Sequence, residues 1–256
     1  MEHKMDMGIE GKRVLVTGGS RGVGRAIVLA LAREGAHVGF SFAHNREAAD
    51  EVVRAAKPFR GQVQAFHADL GNLSQASMLY RQAREALGGI DILVNNAAIW
   101  LQGWLKDIPL EDWQTTMDVN LAAPFLLCQA LVKDLLVAEK TGKIINITSQ
   151  AAFLGSTTGH SHYAASKAGM VAMTVSLARE VAASGINVNA LALGLVETDM
   201  LAETLKDNRA YYENRVPVGR LATPDDIAGF VLFLASRLSD YMTGATLDAT
   251  GGMLNR

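Results

Sequence analysis

Residues 13–24 read Arg13-Val14-Leu15-Val16-Thr17-Gly18-Gly19-Ser20-Arg21-Gly22-Val23-Gly24. A β-branched, leucine-containing run passes without a spacer into a glycine-rich turn, and a helical pattern follows over 23–34. In such a turn Gly18 permits a tight bend, Gly22 lets backbone approach a pyrophosphate, and Gly24 lets the helix pack on the sheet. The new helix N-terminus offers free N–H groups and a positive dipole end to an anion. A glycine triplet alone is a weak signal. Between a first strand and a first helix it reads as a dinucleotide cradle rather than a structural turn.

Working outward, short apolar runs alternate with longer helical patterns. Strands are expected at 13–17, 37–42, 63–67, 92–95, 143–148, 187–192 and 245–248. Helices are expected near 23–34, 46–57, 74–87, 111–138, 162–183, 198–214 and 225–235. Ser161 is a plausible N-cap for one helix. Thr223-Pro224 supplies a cap and a first-position proline for another. The alternation predicts parallel strands joined by crossovers, a doubly wound α/β sheet with helices on both faces. The strand runs are apolar throughout, as doubly buried strands require. Residues 1–10 read as a loose tail and 11–256 as a single dinucleotide-binding and catalytic domain.

Apolar residues make up 49% and charged residues 20% of the 256, an ordinary soluble composition. A net charge of −2 leaves no basic excess for nucleic acid or anionic lipid. Cys128, the single cysteine, sits in an apolar run and reads as a buried thiol. The start MEHKMDMGIE lacks the apolar core of a secretory signal. No apolar stretch approaches the roughly 20 residues of a membrane span. The expectation is a cytoplasmic protein with no membrane or nucleic-acid partner.

The cofactor's identity is a question of charge. An NAD site places Asp or Glu at the end of the second strand, about 20 residues on. Here that region reads AHVGFSFAHNR, with no acid before Glu47. Arg21, His44, Asn45 and Arg46 could supply charge and donors to a 2′-phosphate, so NADP(H) is expected over NAD(H). For Arg46, a solvated helix-start charge is an equal reading.

Tyr163 and Lys167 occur as YAASK, four apart, and so share one face of a helix. An ammonium, and the cation of an oxidised nicotinamide, would favour the phenolate. Ser149 ends the strand KIINIT, 14 positions before Tyr163, so both can face one crevice. Its hydroxyl can donate to a carbonyl oxygen while Tyr163 delivers the proton. Asn95-Asn96-Ala97-Ala98 follows the fourth strand, where small residues suit a flat cofactor. Asn120 lies inside a helical pattern; a kink, a water site or a surface position all fit.

In this order, TGGSRGVG, the Asp69 of HADL, NNAA, Asn120, Ser149 and YAASK resemble the short-chain dehydrogenase/reductase family, over about Gly11 to Gly252. The stretch RVPVGRLATPDDIAGFVLFLAS…YMTGATLDATGG is most similar to its 3-oxoacyl-acyl-carrier-protein reductase branch. The resemblance implies a Rossmann-type fold of seven parallel strands, usually a homotetramer. It implies a tetrad of Asn120, Ser149, Tyr163 and Lys167, with Tyr163 as general acid. Lys167 would bind the nicotinamide ribose and lower the Tyr163 pKa, and Asn120 would hold a water linking Lys167 to solvent. Gly18, Ser20, Arg21, Gly22, Val23 and Gly24 would form the phosphate loop. Asp69 and Leu70 would contact adenine; Asn96, Ala97, Ala98, Gly194, Val196 and Thr198 would line the cofactor. Two positions depart from the pattern: Ala98 stands for a glycine, and Leu193 for a proline before Gly194.

The substrate wall is expected at Trp100, Gln150, Phe153, His160 and Leu195, with 198–214 as a lid. Ordinary packing is an equal reading for Trp100 and the favoured one for Trp104. His160 and His162 lack a third ligand, so no metal is expected. The reading is an NADP(H)-dependent carbonyl reductase for a small-molecule ketone or 3-oxoacyl compound. An NAD-linked alcohol or sugar dehydrogenase, and a non-catalytic nucleotide-binding sensor or scaffold, are the alternatives.

Overall fold

The apolar runs at the centre of the sheet, such as Arg13–Val16 and Ile92–Asn95, become strands because they are buried on two faces. In the computed structural model, which describes residues 6–156, 158–206 and 208–254, seven strands make one sheet. They are β1 (Arg13–Val16), β2 (His37–Phe42), β3 (Val63–His67), β4 (Ile92–Asn95), β5 (Gly142–Ser149), β6 (Ile186–Leu193) and β7 (Thr246–Ala249). The helices are α1 (Gly22–Arg33), α2 (Arg46–Ala56), α3 (Leu73–Leu87), α4 (Leu110–Met117), α5 (Ala123–Val137), α6 (Ala151–Leu154), α7 (Ser161–Val181), α8 (Asp199–Lys206), α9 (Arg209–Glu213) and α10 (Pro224–Ala235).

All strand pairs are parallel, in the order β3-β2-β1-β4-β5-β6-β7. The chain starts mid-sheet, winds outward to β3, then returns past β1 to β4. The crevice at this reversal lies beyond the carboxyl ends of β1 and β4. Alternate side chains divide the core. Val14 and Val16 pack with Ile27, Leu31 and Val231, while Leu15 packs on the other face with Leu79, Leu127 and Leu131.

The proline-started helix α10 is capped reciprocally. Thr223 Oγ1 accepts from Asp226 N at 3.2 Å, and Asp226 Oδ2 accepts from Thr223 N at 2.7 Å. Ser161 is not the cap of α7; His160 takes that position, and the Ser161 hydroxyl has no partner in the protein. The expected tail is anchored from Asp6 onward. Ile9 is buried in the core, and Met7 O accepts from Arg237 N at 2.9 Å. The lid region forms two short helices, α8 and α9, instead of one.

The expected helix over 111–138 is interrupted. A π-helical segment, Asp118–Ala122, separates α4 from α5. The whole run, Leu110–Val137, is long and apolar enough to cross a bilayer, contrary to the run-length expectation. It packs against the sheet instead, through Leu127, Leu131 and Leu135.

Candidate active site

The β1–α1 turn is laced to β4. Thr17 Oγ1 accepts from the N–H groups of Asn96 and Ala97, both at 2.9 Å. Asn96 Nδ2 donates to Thr17 O at 2.9 Å and Gly18 O at 3.1 Å. The Asn96 amide, expected to line the cofactor, spends its donors on the turn. Gly18 has φ +68°, a left-handed bend that suits glycine. A Cβ at Gly24 would lie 2.0 Å from Gly18 O, so this glycine is required by the turn itself rather than by the sheet.

A dinucleotide fits this cradle. Arg21 occupies the N-cap of α1 without a side-chain cap bond, which leaves the first-turn N–H groups of Gly22, Val23 and Gly24 for an anion. Beyond β2, residues 43–46 carry no acid, and Arg21, His44, Asn45 and Arg46 are exposed. Their roles differ. Asn45 Oδ1 accepts from Ala48 N at 2.9 Å and caps α2. The Arg46 guanidinium lies 5.8 Å from the Phe42 ring centroid and 3.7 Å from Asp50. Asp69 Oδ1 accepts from Gly71 N at 2.9 Å, and the Leu70 side chain lies in the core. Leu70 therefore has only its backbone to offer an adenine.

At the end of β5, Ser149 Oγ accepts from Ala151 N at 3.2 Å and shares a hydrogen bond with the Tyr163 hydroxyl. Lys167 is buried one turn further along α7. Its Nζ donates to Ile147 O at 2.9 Å and sits 5.8 Å from the Tyr163 ring centroid. Burial pulls the Lys167 ammonium down to about 8. Burial also raises the Tyr163 phenol, against the opposing effect of its Ser149 bond. In the chain by itself the Tyr163 shift follows burial and the Ser149 bond, and Lys167 is not among its causes. The ammonium is directed to a carbonyl, and desolvation dominates. Tyr163 keeps its proton, the state a general acid needs.

Asn120 is fully buried, not a surface residue, and its π segment is the kink that a helix-interior asparagine permits. Its Oδ1 accepts from Ile99 N at 2.9 Å, and its Nδ2 donates to Ile99 O at 3.0 Å and Ser166 Oγ at 3.1 Å. Ser166 Oγ in turn donates to Tyr163 O at 2.7 Å. Both amide hydrogens are committed, so the side chain has no donor left for a water. The sequence reading passed over Ser166, although it lies inside YAASK.

Of the expected substrate wall, His160 is a strut. It is buried, stacks on Trp100 at 4.2 Å, and its Nδ1 bonds Leu101 O at 2.8 Å. The carbonyl only accepts, so Nδ1 carries the proton. Gly103 N donates to Gly159 O at 2.8 Å, which knits the two loops together. Phe153, Leu154 and Trp104 remain exposed, and Gln150 N donates to Leu193 O at 2.8 Å. Leu195 leans on Leu205 and Leu221 beneath the lid. Burial lowers the His162 pKa. Among the described residues no group of three His, Cys, Asp or Glu could hold a metal.

The two departures are accommodated. Glu139 is the only described non-glycine residue with positive φ, so Ala98 adopts an ordinary conformation. Leu193 ends β6 in register with Ser149 and Ala249. A Cβ at Gly194 would meet Thr250 O at 2.8 Å. Val196 is buried and bridges to Ala222, and Thr198 comes against Gly22. The segment after β6 therefore closes on the glycine loop. Arg209 pairs with Glu197 and with Glu213, tying α9 to that segment.

The family model described as enoyl-(acyl carrier protein) reductase matches residues 18–254. A 3-oxoacyl-acyl-carrier-protein reductase of Chlamydia pneumoniae is 40% identical, covering 97% of this chain and 99% of the relative. A Synechocystis protein of the same name is 39% identical, covering 94% and 96%. A short-chain type dehydrogenase/reductase from Mycobacterium marinum superposes with a TM-score of 0.90 at 34% identity, covering 97% of each chain. The chain belongs to the short-chain dehydrogenase/reductase family. Within it, the resemblance is to the 3-oxoacyl-acyl-carrier-protein reductase branch. Membership makes the protein an NAD(P)-dependent oxidoreductase. A blue fluorescent protein from a metagenomic library was solved in complex with NADPH; it has a TM-score of 0.89 and 36% identity, covering 96% of this chain and 99% of that one.

Proposed function

We propose that this short-chain dehydrogenase/reductase reduces a ketone or 3-oxoacyl compound with NADPH, and that Asn120, Ser149, Tyr163 and Lys167 form its site. The observation that carries this reading is the half-buried Tyr163 phenol, bonded to Ser149 beside the buried Lys167. The reaction consumes NADPH and one proton and yields NADP+ and a secondary alcohol. Bound NADPH supplies the hydride. Ser149 holds the carbonyl oxygen through its hydroxyl, and Tyr163 transfers its phenolic proton to that oxygen as negative charge develops. Lys167 stabilises the phenolate left behind. The exposed, acid-free end of β2 with Arg21, His44 and Arg46 supports NADPH over NADH.

Tyr163→Phe is expected to retain NADPH binding and lose turnover roughly hundred- to ten-thousand-fold. Unchanged ketone reduction by that variant would remove Tyr163 from the role. The same reading includes a cytoplasmic homotetramer. Self-association is supported by exposed Leu110, Phe125, Leu136 and Val137 along α4 and α5. Light scattering that gave the 27.4 kDa mass of one chain would refute the assembly.

A further inference from the structure

The loop after β4 holds Trp100 more firmly than a surface indole requires. The N–H and the carbonyl of Ile99 are both bonded by the Asn120 amide, and Leu101 O accepts from His160 Nδ1. The residues on either side of Trp100 are thus pinned, one to the π segment and the other to the start of α7. His160 also lies against the indole itself, with ring centroids 4.2 Å apart and planes inclined by 29°, so one aromatic face is already covered. Trp100 is nevertheless only half-buried, and part of its ring surface stays open.

This pinned ring stands close to the reacting groups. Trp100 follows the carboxyl end of β4, where the strand order reverses and the crevice opens. His160 occupies the N-cap of α7, and Tyr163 lies three residues on, in the first turn of that helix. Gly159 has φ +78°, and a Cβ there would meet Gly103 O at 3.0 Å, so the loops that carry Trp100 and His160 touch backbone to backbone.

Charge divides the crevice. Residues 96–105 and 149–163 contain no Asp, Glu, Lys or Arg, whereas the cofactor side carries Arg21 and Arg46. Arg209, on the lid, is engaged by Glu197 and Glu213. A carboxylate or phosphate entering between Trp100 and Tyr163 would lose water and meet no counter-charge from either loop. A neutral flat ring would instead displace water from the open indole surface and gain a stacking partner whose position is fixed before it arrives.

We propose that Trp100 is a specificity-determining residue that selects neutral ketones carrying a flat aromatic ring, with His160 backing the indole. The inference rests on the reading of the site as a ketone reductase and names the substrate class of that same site. The ring of the substrate lies on the indole while its carbonyl oxygen reaches Ser149 and Tyr163.

The test compares benzylacetone, its ring-saturated cyclohexyl analogue and its ring para-carboxylate, which share one carbonyl environment and differ only in flatness or charge. An acetoacetyl thioester serves as the acyclic reference. NADPH consumption gives kcat and KM for the parent, Trp100→Leu and Trp100→Phe, with Trp100→Met as a second ring-free variant should the leucine variant fail to fold. The parent is expected to favour benzylacetone over the cyclohexyl analogue in kcat/KM by roughly two- to tenfold, the span of one aromatic stack. It should favour benzylacetone over the carboxylate by at least about tenfold. Trp100→Leu should bring the first ratio to about one, mostly through the KM for benzylacetone, and Trp100→Phe should restore most of it. A parent that turns over the cyclohexyl analogue or the carboxylate as well as benzylacetone, or a ratio that survives loss of the indole, would overturn the proposal. So would reduction of the thioester without reduction of benzylacetone, an outcome that leaves the reductase reading standing. If the parent oxidises NADPH with no carbonyl compound in the set, or Tyr163→Phe matches the parent, the reductase reading itself fails, independently of Trp100.

Discussion

The ammonium of Lys167 lies over the face of the Tyr163 ring, 5.8 Å from its centroid, and bonds the carbonyl of Ile147 instead of the phenol. A buried cation in this position weakens its own hold on a proton, to about 8 from an ordinary 10.5. Between those values the unfolded chain binds more protons than the folded one, so stability rises with pH across that window. Urea unfolding at successive pH values from 7.5 to 10 should show this rise, and Lys167→Met should flatten it. A parent curve that falls over the same range would contradict the placement.

The open end of β2 predicts cofactor choice. Ala43 is the first residue past the strand. Ala43→Asp places a carboxylate where a 2′-phosphate would sit and where a ribose hydroxyl would welcome it. The kcat/KM ratio of NADPH to NADH is expected to drop by roughly ten- to hundredfold, consistent with a charge contact of about 1–3 kcal/mol. An unchanged ratio would place the adenosine end elsewhere.

The Trp100–His160 stack predicts a split between two replacements. His160→Phe keeps an aromatic face and loses the Leu101 bond, while His160→Ala loses both. With aromatic pairs worth about 0.5–1.5 kcal/mol, the alanine variant should melt several degrees below the phenylalanine variant. Its KM for ketone should rise more than its kcat falls, because the two loops beside the crevice lose their strut. Equal melting of both variants would show that the stack carries no load.

Much of the fold was legible because its signals are local. The run Arg13–Val16 and the glycines after it announced a strand, a turn and a helix within 12 residues. Thr223-Pro224 announced a capped start. The closeness of Tyr163 and Lys167 was legible for the same reason, since the two share a helical face. The Asn120 kink was foreseen only as one option, because the residues that settle it, Ile99 and Ser166, lie 21 and 46 positions away. His160 looked like a wall residue because its partner, Leu101, is 59 positions earlier.

By itself the sequence determined the strand–helix alternation, the anion cradle and the chemistry available at YAASK, all of which follow from residue spacing. The tertiary structure alone decided how those groups are aimed. It turned Lys167 toward Ile147, used Asn96 to lace the turn, drew Ile9 into the core and opened the π segment beside α7. Each depends on which distant backbone groups come within hydrogen-bonding reach once both faces of the sheet are covered, and spacing along the chain carries no record of that.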